Sequence, residues 1–210
     1  SIIVQTGGTL IVKGNPTPNQ GVTISVTTMS VASGGKIDAS GTGYAPIGVT
    51  GVGPGAGQNM TSGGFQVGGG GAGYGGVGQS SAGSGGISYG SFTNPVDLGS
   101  AGGGGHHYVA YPGGPGGGAI HLIVDGTLTV NGEISADAGI KPNPYGGSGS
   151  GGSIWIEAHT LLGSGSIHAN GATSDGVGGG GAGGRIAVYQ ETSTFLLDGQ
   201  HVHAKGGNSG

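Results

Sequence analysis

The sequence has no cysteine, a single arginine, a single tryptophan and few charged residues of either sign. The lack of cysteine excludes disulfide bonds and thiolate metal sites. Charged residues form 7% of the chain, far below the roughly 25% of a typical soluble domain. Five basic residues stand against nine acidic ones, giving a net charge of −4, and no cluster of cations is present to bind nucleic acid. Apolar runs never approach about 18 residues, so we expect no insertion into a membrane.

Glycine, by contrast, accounts for 59 of the 210 residues, and nine more are proline. Such a composition by itself suggests low complexity. The glycine runs are separated, however, by short segments in which apolar and polar side chains alternate, such as "SIWIEA" (153–158) and "AIHLIV" (119–124). This alternation predicts β-strands, because successive side chains of a strand point to opposite faces. The segments recur every 32 to 34 residues, so the chain is built from an internal repeat.

Aligning the repeats places apolar residues in columns. In the strand after each glycine run, the columns are Ile120, Ile154 and Ile186, and Leu122, Ile156 and Val188. In the next strand they are Val31, Leu128, Leu161 and Leu196; Ile37, Ile134, Ile167 and Val202; and Ala39, Ala136, Ala169 and Ala204. Strands that repeat in one direction place like residues above like residues when the chain coils once per repeat. The columns therefore predict aliphatic stacks in a core.

The fold that this pattern predicts is all-β: a parallel β-helix, or solenoid, of about five rungs formed by residues 1–210 as a single domain. Its glycine-rich connections differ in length, and residues 41–118 are a long insertion with 31 glycines among 78 residues. Such a loop is either disordered or ordered by its glycines. We favour order, with extended threefold helices of the polyglycine-II type packed backbone to backbone.

The first residues of the chain fit the start of a rung. The matched pairs are Ser1 with Ser153, Ile2 with Ile154, Val4 with Ile156, and Leu10 near Leu161. The last residues complete a strand and open another glycine run, and neither end carries the polar residues that cap a solenoid. We therefore expect head-to-tail stacking, either on flanking repeats of a longer polypeptide or on other copies of the chain, which would form a filament.

The pattern "GGGxGG[S/R]I.I" followed by "L.G.G.I.A.G" resembles the glycine-rich, pectin-lyase-like β-helix repeats of very large secreted or cell-surface proteins. The resemblance covers residues 119–207 well and residues 41–118 by composition only. A looser similarity, confined to the glycine runs, is to glycine-rich phage tail-tip adhesins. The resemblance implies an extracellular or cell-surface, non-catalytic part built from repeats, and it supplies no active-site residues.

Two functions from different classes follow. The first is a non-enzymatic structural module of a surface protein, matrix fibre or appendage. The second is a carbohydrate-binding or adhesin domain that uses the long insertion, because loops carry function more often than scaffolds do. The candidate ligand-binding residues on that insertion are His106, His107, Tyr108 and Tyr111. We expect no cofactor.

Trp155 is a further candidate for glycan binding. Its alternation places it opposite the aliphatic column and beside His121, where an exposed ring could stack on a sugar. The alternative, which we favour, is that the glycine-rich layer covers it.

Histidine and acidic side chains are the residues that catalysis or metal binding would need. His168 and His203 share a column on the outer face and are weak candidates for a metal or pH-sensitive site. The column continues with Ser135 and Asp38, and we expect no acidic or thiol partner to complete such a site. Simple stacking on a polar face is the preferred interpretation. Glu133 and Asp137 are the nearest pair of acids, but their aligned neighbours are Ser166 and Asn170. The sequence therefore predicts no enzyme.

Overall fold

The alternating segments of the sequence form strands in a computed structural model that describes residues 1–60, 66–141, 143–196 and 198–209. Over these residues the structure is all-β. The strands are β1 (Ile2–Val4), β2 (Thr9–Ile11), β3 (Val22–Val26), β4 (Met29–Val31), β5 (Lys36–Asp38), β6 (Gly105–His107), β7 (Val109–Tyr111), β8 (Ala119–Val130), β9 (Glu133–Ser135), β10 (Ser153–Leu162), β11 (Ser166–His168), β12 (Arg185–Ser193) and β13 (Val202–His203).

Two parallel sheets contain most of these strands. Sheet A has the order β1-β4-β8-β10-β12, and β3 also pairs with the first part of β8. Sheet B has the order β13-β11-β9-β5-β2. Every neighbouring pair in both sheets is parallel. Strands β6 and β7 form a separate antiparallel hairpin.

The register confirms most of the predicted columns. Ile154 pairs with Ile120 on one side and Ile186 on the other. The same holds in sheet B, where Ile167 pairs with Ile134 and Val202. Like residues therefore lie beside like residues across neighbouring strands, as the repeat alignment predicts.

Two column assignments are wrong. Val31 pairs with Val130 rather than Leu128, which pairs with Met29. A shift of two residues keeps the same face, so Val31 is still fully buried. At the other end of the column Leu196 is 57% exposed, and the adjacent Phe195 lies in the core at 5%. Two neighbouring apolar residues compete for one inward position there, and the aromatic ring takes it.

The predicted placement of the chain start is also wrong. A row of sheet A is one long strand such as β8, or two short strands in line such as β3 and β4. Ile2 pairs with Met29, which in turn pairs with Leu128, so β1 lies in the second half of its row. The position opposite Ile120, which the alignment gives to this segment, belongs to Val22 of β3. Both halves of a row alternate with the same period, so alternation alone does not distinguish them.

The core is a single aliphatic cluster that both sheets share. Its members include the wholly buried side chains Val31, Leu122, Leu128, Ile154, Ile156 and Leu161 of sheet A and Ile37, Ile134 and Ile167 of sheet B. Burial of each such side chain stabilises the fold by about 1.5–3 kcal/mol relative to an exposed one.

The glycine-rich runs bond to one another through their backbones with a repeat of three residues. In the run 68–74, the amides at 69 and 72 donate to the segment 145–148, and those at 70 and 73 donate to the segment 55–58. The carbonyls at 68, 71 and 74 accept from the segment 83–89, and those at 69 and 72 accept from the segment 179–182. Each run therefore directs successive backbone groups to different neighbours, which satisfies the polar backbone without a sheet.

Close approach of these backbones is possible because glycine has no Cβ. A methyl group built on Gly71 would overlap the carbonyl of Gly180, and one built on Gly70 would overlap the carbonyl of Ser84. Neither glycine has the positive φ of a turn. Their requirement is therefore for space rather than for backbone freedom.

Arg185 and two tyrosines tie the glycine-rich layer to sheet A. Tyr74 is fully buried, and its hydroxyl lies 2.5 Å from the Ser153 hydroxyl oxygen. The Arg185 guanidinium donates to the backbone carbonyls of Tyr89 (3.0 Å) and Tyr74 (3.4 Å), and it lies 5.5 Å from the centre of the Tyr74 ring. Burial raises the pKa of both phenols well above the usual value, so both stay protonated.

Candidate functional site

The most distinctive side-chain cluster outside the core is aromatic and lies on the β6–β7 hairpin. His107, Tyr108 and Tyr111 come from the hairpin, and Tyr145 joins them from a different connection. Ring centroids are 4.4 Å apart for His107 and Tyr108, 4.6 Å for His107 and Tyr145, and 5.5 Å for Tyr111 and Tyr145. We call these four residues the aromatic cluster.

The sequence predicts three members of the aromatic cluster and misses the fourth. Tyr145 lies 34 residues beyond Tyr111 in the sequence, on the connection that follows β9. Its segment "NPYGG" gives only a turn signal. His106, which was predicted with the others, instead lies beside the cluster and pairs through its backbone with Val67. Its Nδ1 is buried and has no hydrogen-bond partner among the described residues.

The hairpin turn is held in an unusual conformation. Tyr108 has a φ of 60°, in the left-handed region that bulky residues rarely adopt. Its side chain is 70% exposed. The turn therefore presents a tyrosine ring to solvent at some cost in backbone strain.

An Asn turn fixes the two parts of the cluster relative to each other. The Asn143 Oδ1 accepts hydrogen bonds from the amides of Tyr145 (2.9 Å) and Gly146 (2.7 Å), and its Nδ2 donates to the Pro112 carbonyl at 2.7 Å. Pro112 directly follows β7, so this side chain connects the Tyr145 turn to the end of the hairpin. These hydrogen bonds fix the position of Tyr145 relative to the hairpin.

Trp155 lies on the outer face of sheet A, as its alternation predicts. Its ring stacks on His121 with centroids 3.8 Å apart and an angle of 7° between the planes. On the other side its strand neighbour is Ala187, which is 8% exposed. His121 in turn bonds through Nε2 to Glu157 Oε1 at 2.8 Å. The ring is only partly exposed, and one of its faces is occupied by the imidazole.

His168 and His203 are neighbours across β11 and β13, and their rings stack at 5.3 Å. The prediction that His168 has no acidic partner is wrong. Its Nε2 lies 2.8 Å from Glu133 Oε1, and its Nδ1 lies 2.9 Å from Asp137 Oδ1. These acids come from the adjacent repeat but lie two residues to either side of the His168 position, so a search along one column does not find them.

The geometry around His168 favours its charged form. A neutral imidazole has one N–H, whereas two carboxylates face the two ring nitrogens, so both contacts are hydrogen bonds only when the ring is protonated. Burial lowers the pKa of His168, but the hydrogen bond to Asp137 and the charges of Asp137 and Glu133 outweigh it, and the pKa is raised. Burial likewise raises the pKa of Asp137, and its hydrogen bonds to His168 and Asn170 reverse that effect and lower it.

Lys36 extends this network to a third strand. Its ammonium lies 3.0 Å from Glu133 Oε1 and 3.5 Å from Asp38 Oδ2. Alternating charges thus cross three neighbouring strands of sheet B. Each charged side chain of this network lies next to one of opposite charge. We therefore interpret the network as a charged ladder that stabilises sheet B.

The part of the chain that the structure describes contains no group of three His, Cys, Asp or Glu side chains suited to a metal ion. Within the same residues, no helix has the length and apolarity needed to cross a membrane. Comparison with protein-family models, with curated proteins and with solved structures gives no match to this chain.

Proposed function

We propose that the chain is a rigid, non-enzymatic structural module of an extracellular surface protein, matrix fibre or appendage. The observation that supports this function best is the three-residue alternation of hydrogen bonds among the glycine runs that connect the strands of the two parallel sheets. Such an arrangement makes the glycine layer stiff, since each run is hydrogen-bonded to several neighbouring runs at once. The surface location rests on the resemblance of the repeats to those of secreted proteins.

The architecture proposed for this module is a parallel β-helix with polyglycine-II-like connections. In chain order, β3 and β4 of sheet A lead to β5 of sheet B, and β8, β10 and β12 lead in the same way to β9, β11 and β13. This repeated order is what a single sense of winding produces. The threefold bonding of the run 68–74 is what polyglycine-II helices produce, because they turn once in about three residues and have no internal hydrogen bonds.

Mechanical strength would come from the number of backbone hydrogen bonds rather than from covalent links. Each bond contributes about 0.5–1.5 kcal/mol, and in the glycine layer these bonds connect segments as distant in sequence as 69 and 179. A force applied to one run is then shared by its neighbours. Charged residues contribute little to such a layer, which fits their low number.

Stacking on flanking repeats or on other copies is part of the same proposal. Among the described residues, the outer edges of β3, β1 and β2 at one end and of β12 and β13 at the other pair with no further strand. Parallel edges with exposed Ile3 (69%) and Ile11 (61%) invite addition of another repeat. Because β1 covers only the β4 half of its row, a stacked partner would have to supply a strand beside β3.

Hydrogen exchange tests the proposed rigidity. We expect the amides of residues 69–73 to be protected about as strongly as those of strand β10, because both are bonded to other segments. The exposed turn 90–94 serves as the control and should exchange quickly. Rapid exchange throughout 69–73, with β10 protected, would show that the glycine layer is a loose covering and would remove the support for a stiff module.

Sedimentation and electron microscopy test the stacking separately. We expect association that rises with protein concentration and, on a grid, rods of uniform width. Replacing Ile3 and Ile11 by Lys on the open edges should reduce that association without lowering the stability of the monomer, because both side chains are already exposed. A monomer at all concentrations would leave flanking repeats as the stacking partners and rule out copies of the chain.

A further inference from the structure

We propose that the aromatic cluster is a binding site for neutral pyranose sugars of a polysaccharide or glycan. The cluster consists of four rings, each in contact with at least one other, at centroid distances of 4.4 to 5.5 Å. One of them, Tyr108, is 70% exposed. A tyrosine ring offers an apolar face for the C–H groups of a sugar and a hydroxyl at its edge for the sugar's own hydroxyls.

Rigidity supports binding by this surface. The turn at Tyr108 is held in the left-handed region, and Asn143 joins the Tyr145 turn to the residue that follows the hairpin. Backbone bonds between His106 and Val67 fix the hairpin to the glycine layer from the other side, at 2.8 and 2.9 Å. Since the rings are already ordered, little conformational entropy remains to be lost when a ligand stacks on them.

The hairpin lies in a stretch of sequence without Asp, Glu, Lys or Arg. No Asp, Glu, Lys or Arg occurs between Asp97 and Asp125. The nearest basic side chain, Lys141, lies under the Tyr145 turn, where its ammonium contacts the carbonyls of Pro144 (3.5 Å) and Gly146 (3.4 Å). It is paired with Asp175 at 3.0 Å, and its side chain is 5% exposed, so it offers no free cation to a ligand. A nucleic acid or an anionic polysaccharide would need cations that this surface does not provide, so a neutral sugar is the ligand that fits the chemistry.

A proline-rich peptide is another ligand that prefers aromatic surfaces. Such peptides bind in grooves between separated rings, into which the proline rings insert. In the aromatic cluster the rings are tilted by 30 to 43° and already touch each other. Contacting rings leave no groove between them for a proline ring, so their outer faces suit one face of a sugar ring better than a polyproline helix.

Isothermal titration with three neutral hexasaccharides, cellohexaose, mannohexaose and chitohexaose, tests the proposal on the purified chain. We expect at least one of them to bind with a dissociation constant in the millimolar range or below. Tyr108→Asn removes the ring but keeps a residue that tolerates the left-handed conformation, so it should weaken binding by about five- to tenfold. Tyr108→Phe keeps the ring and should retain most of the affinity.

A control variant, a second cluster variant and a competition experiment accompany the titration. Phe92→Ala removes another exposed ring, 77% exposed and outside the cluster, and should leave binding unchanged. Tyr145→Ala should weaken binding like Tyr108→Asn, and urea unfolding of both variants shows whether the fold is intact. A decaproline peptide should not compete with the sugar. The sugar titration tests the binding site, whereas the hydrogen-exchange experiment above tests the stiffness of the glycine layer. Failure of one proposal can therefore be told apart from failure of the other.

Several outcomes would overturn the proposal. They are no binding of any of the three sugars at millimolar concentration, binding that Tyr108→Asn and Tyr145→Ala leave unchanged in folded protein, and displacement of the sugar by decaproline. Loss of binding in Trp155→Ala, with Tyr145→Ala unaffected, would place the sugar site on sheet A instead.

Discussion

A single methyl group added in the glycine layer should destabilise the protein far more than the same change at its surface. Gly71 is buried, and a Cβ there would overlap the carbonyl of Gly180. Its amide donates to Gln79 and its carbonyl accepts from Gly86, both at 2.9 Å. The matched control is Gly76, where a Cβ would meet nothing within 4 Å. We compare Gly71→Ala with Gly76→Ala.

The magnitude follows from three contributions. Forcing a methyl group into a filled site costs about 1–3 kcal/mol. Moving the run away weakens the two hydrogen bonds of Gly71, at about 0.5–1.5 kcal/mol each. The stiffer unfolded chain of an alanine variant offsets about 0.4–1 kcal/mol of this. The middle values of these ranges sum to a loss of about 3 kcal/mol in the free energy of unfolding for Gly71→Ala, whereas Gly76→Ala should leave it unchanged or raise it by about 0.4–1 kcal/mol.

Urea unfolding monitored by circular dichroism measures both variants. The midpoint for Gly71→Ala should fall by about 1–2 M at an unchanged slope. Ala72, whose methyl group is already fully buried in the same run, shows that the layer accommodates a side chain in some directions, so the effect must depend on position. Equal stability of Gly71→Ala and Gly76→Ala would refute the close backbone packing on which the proposed stiffness depends.

Three further predictions concern the core, the tie to the glycine layer and the charged ladder. Ile167→Asp places a carboxylate at a wholly buried position and should lower the free energy of unfolding by more than about 4 kcal/mol; Ile11→Asp, at a site 61% exposed, should change it by less than about 1 kcal/mol, and similar urea midpoints for the two would show the register to be wrong. Arg185→Lys keeps the charge but loses the fork that reaches two carbonyls, so unfolding should become easier by about 1–3 kcal/mol; an unchanged midpoint would count against the tie. Because the folded-state pKa of His168 is raised above 6.5, the stability it adds is fully present below about pH 6.5 and is lost as the pH rises through the folded-state value. The stability difference between the wild type and His168→Gln should therefore be larger at pH 5.5 than at pH 8.5, and a difference that grew with pH would contradict the two-carboxylate geometry.

The sequence was sufficient for the strand class and for most strand neighbours. Period-two alternation in residues 119–124 and 153–158 predicts strands, and the repeat spacing predicts which strands lie side by side. The pairing of Ile154 with Ile120 and Ile186 confirms this. The reason is physical: a buried column of aliphatic residues fixes the register, because a slip of one residue would move every apolar side chain to the solvent face.

The sequence was insufficient where two placements of a segment fit the same alternation. Strand β1 has three residues, and its alternation fits either half of a sheet A row. Phe195 and Leu196 are adjacent, and only packing against the core selects the ring. In both cases the choice depends on volume and on the turns that precede the strand, neither of which alternation reports.

By itself, then, the sequence determined that this chain is all-β, that its strands repeat in one direction, and that aliphatic residues stack between them. These follow from local rules of alternation and spacing that act on each segment independently. The tertiary structure alone decided that Tyr145 meets the hairpin tyrosines, that His168 lies between two carboxylates, and which carbonyl each glycine amide finds. Those contacts join residues that are distant in sequence or displaced along neighbouring strands, and glycine has no side chain whose pattern could mark its partner in advance.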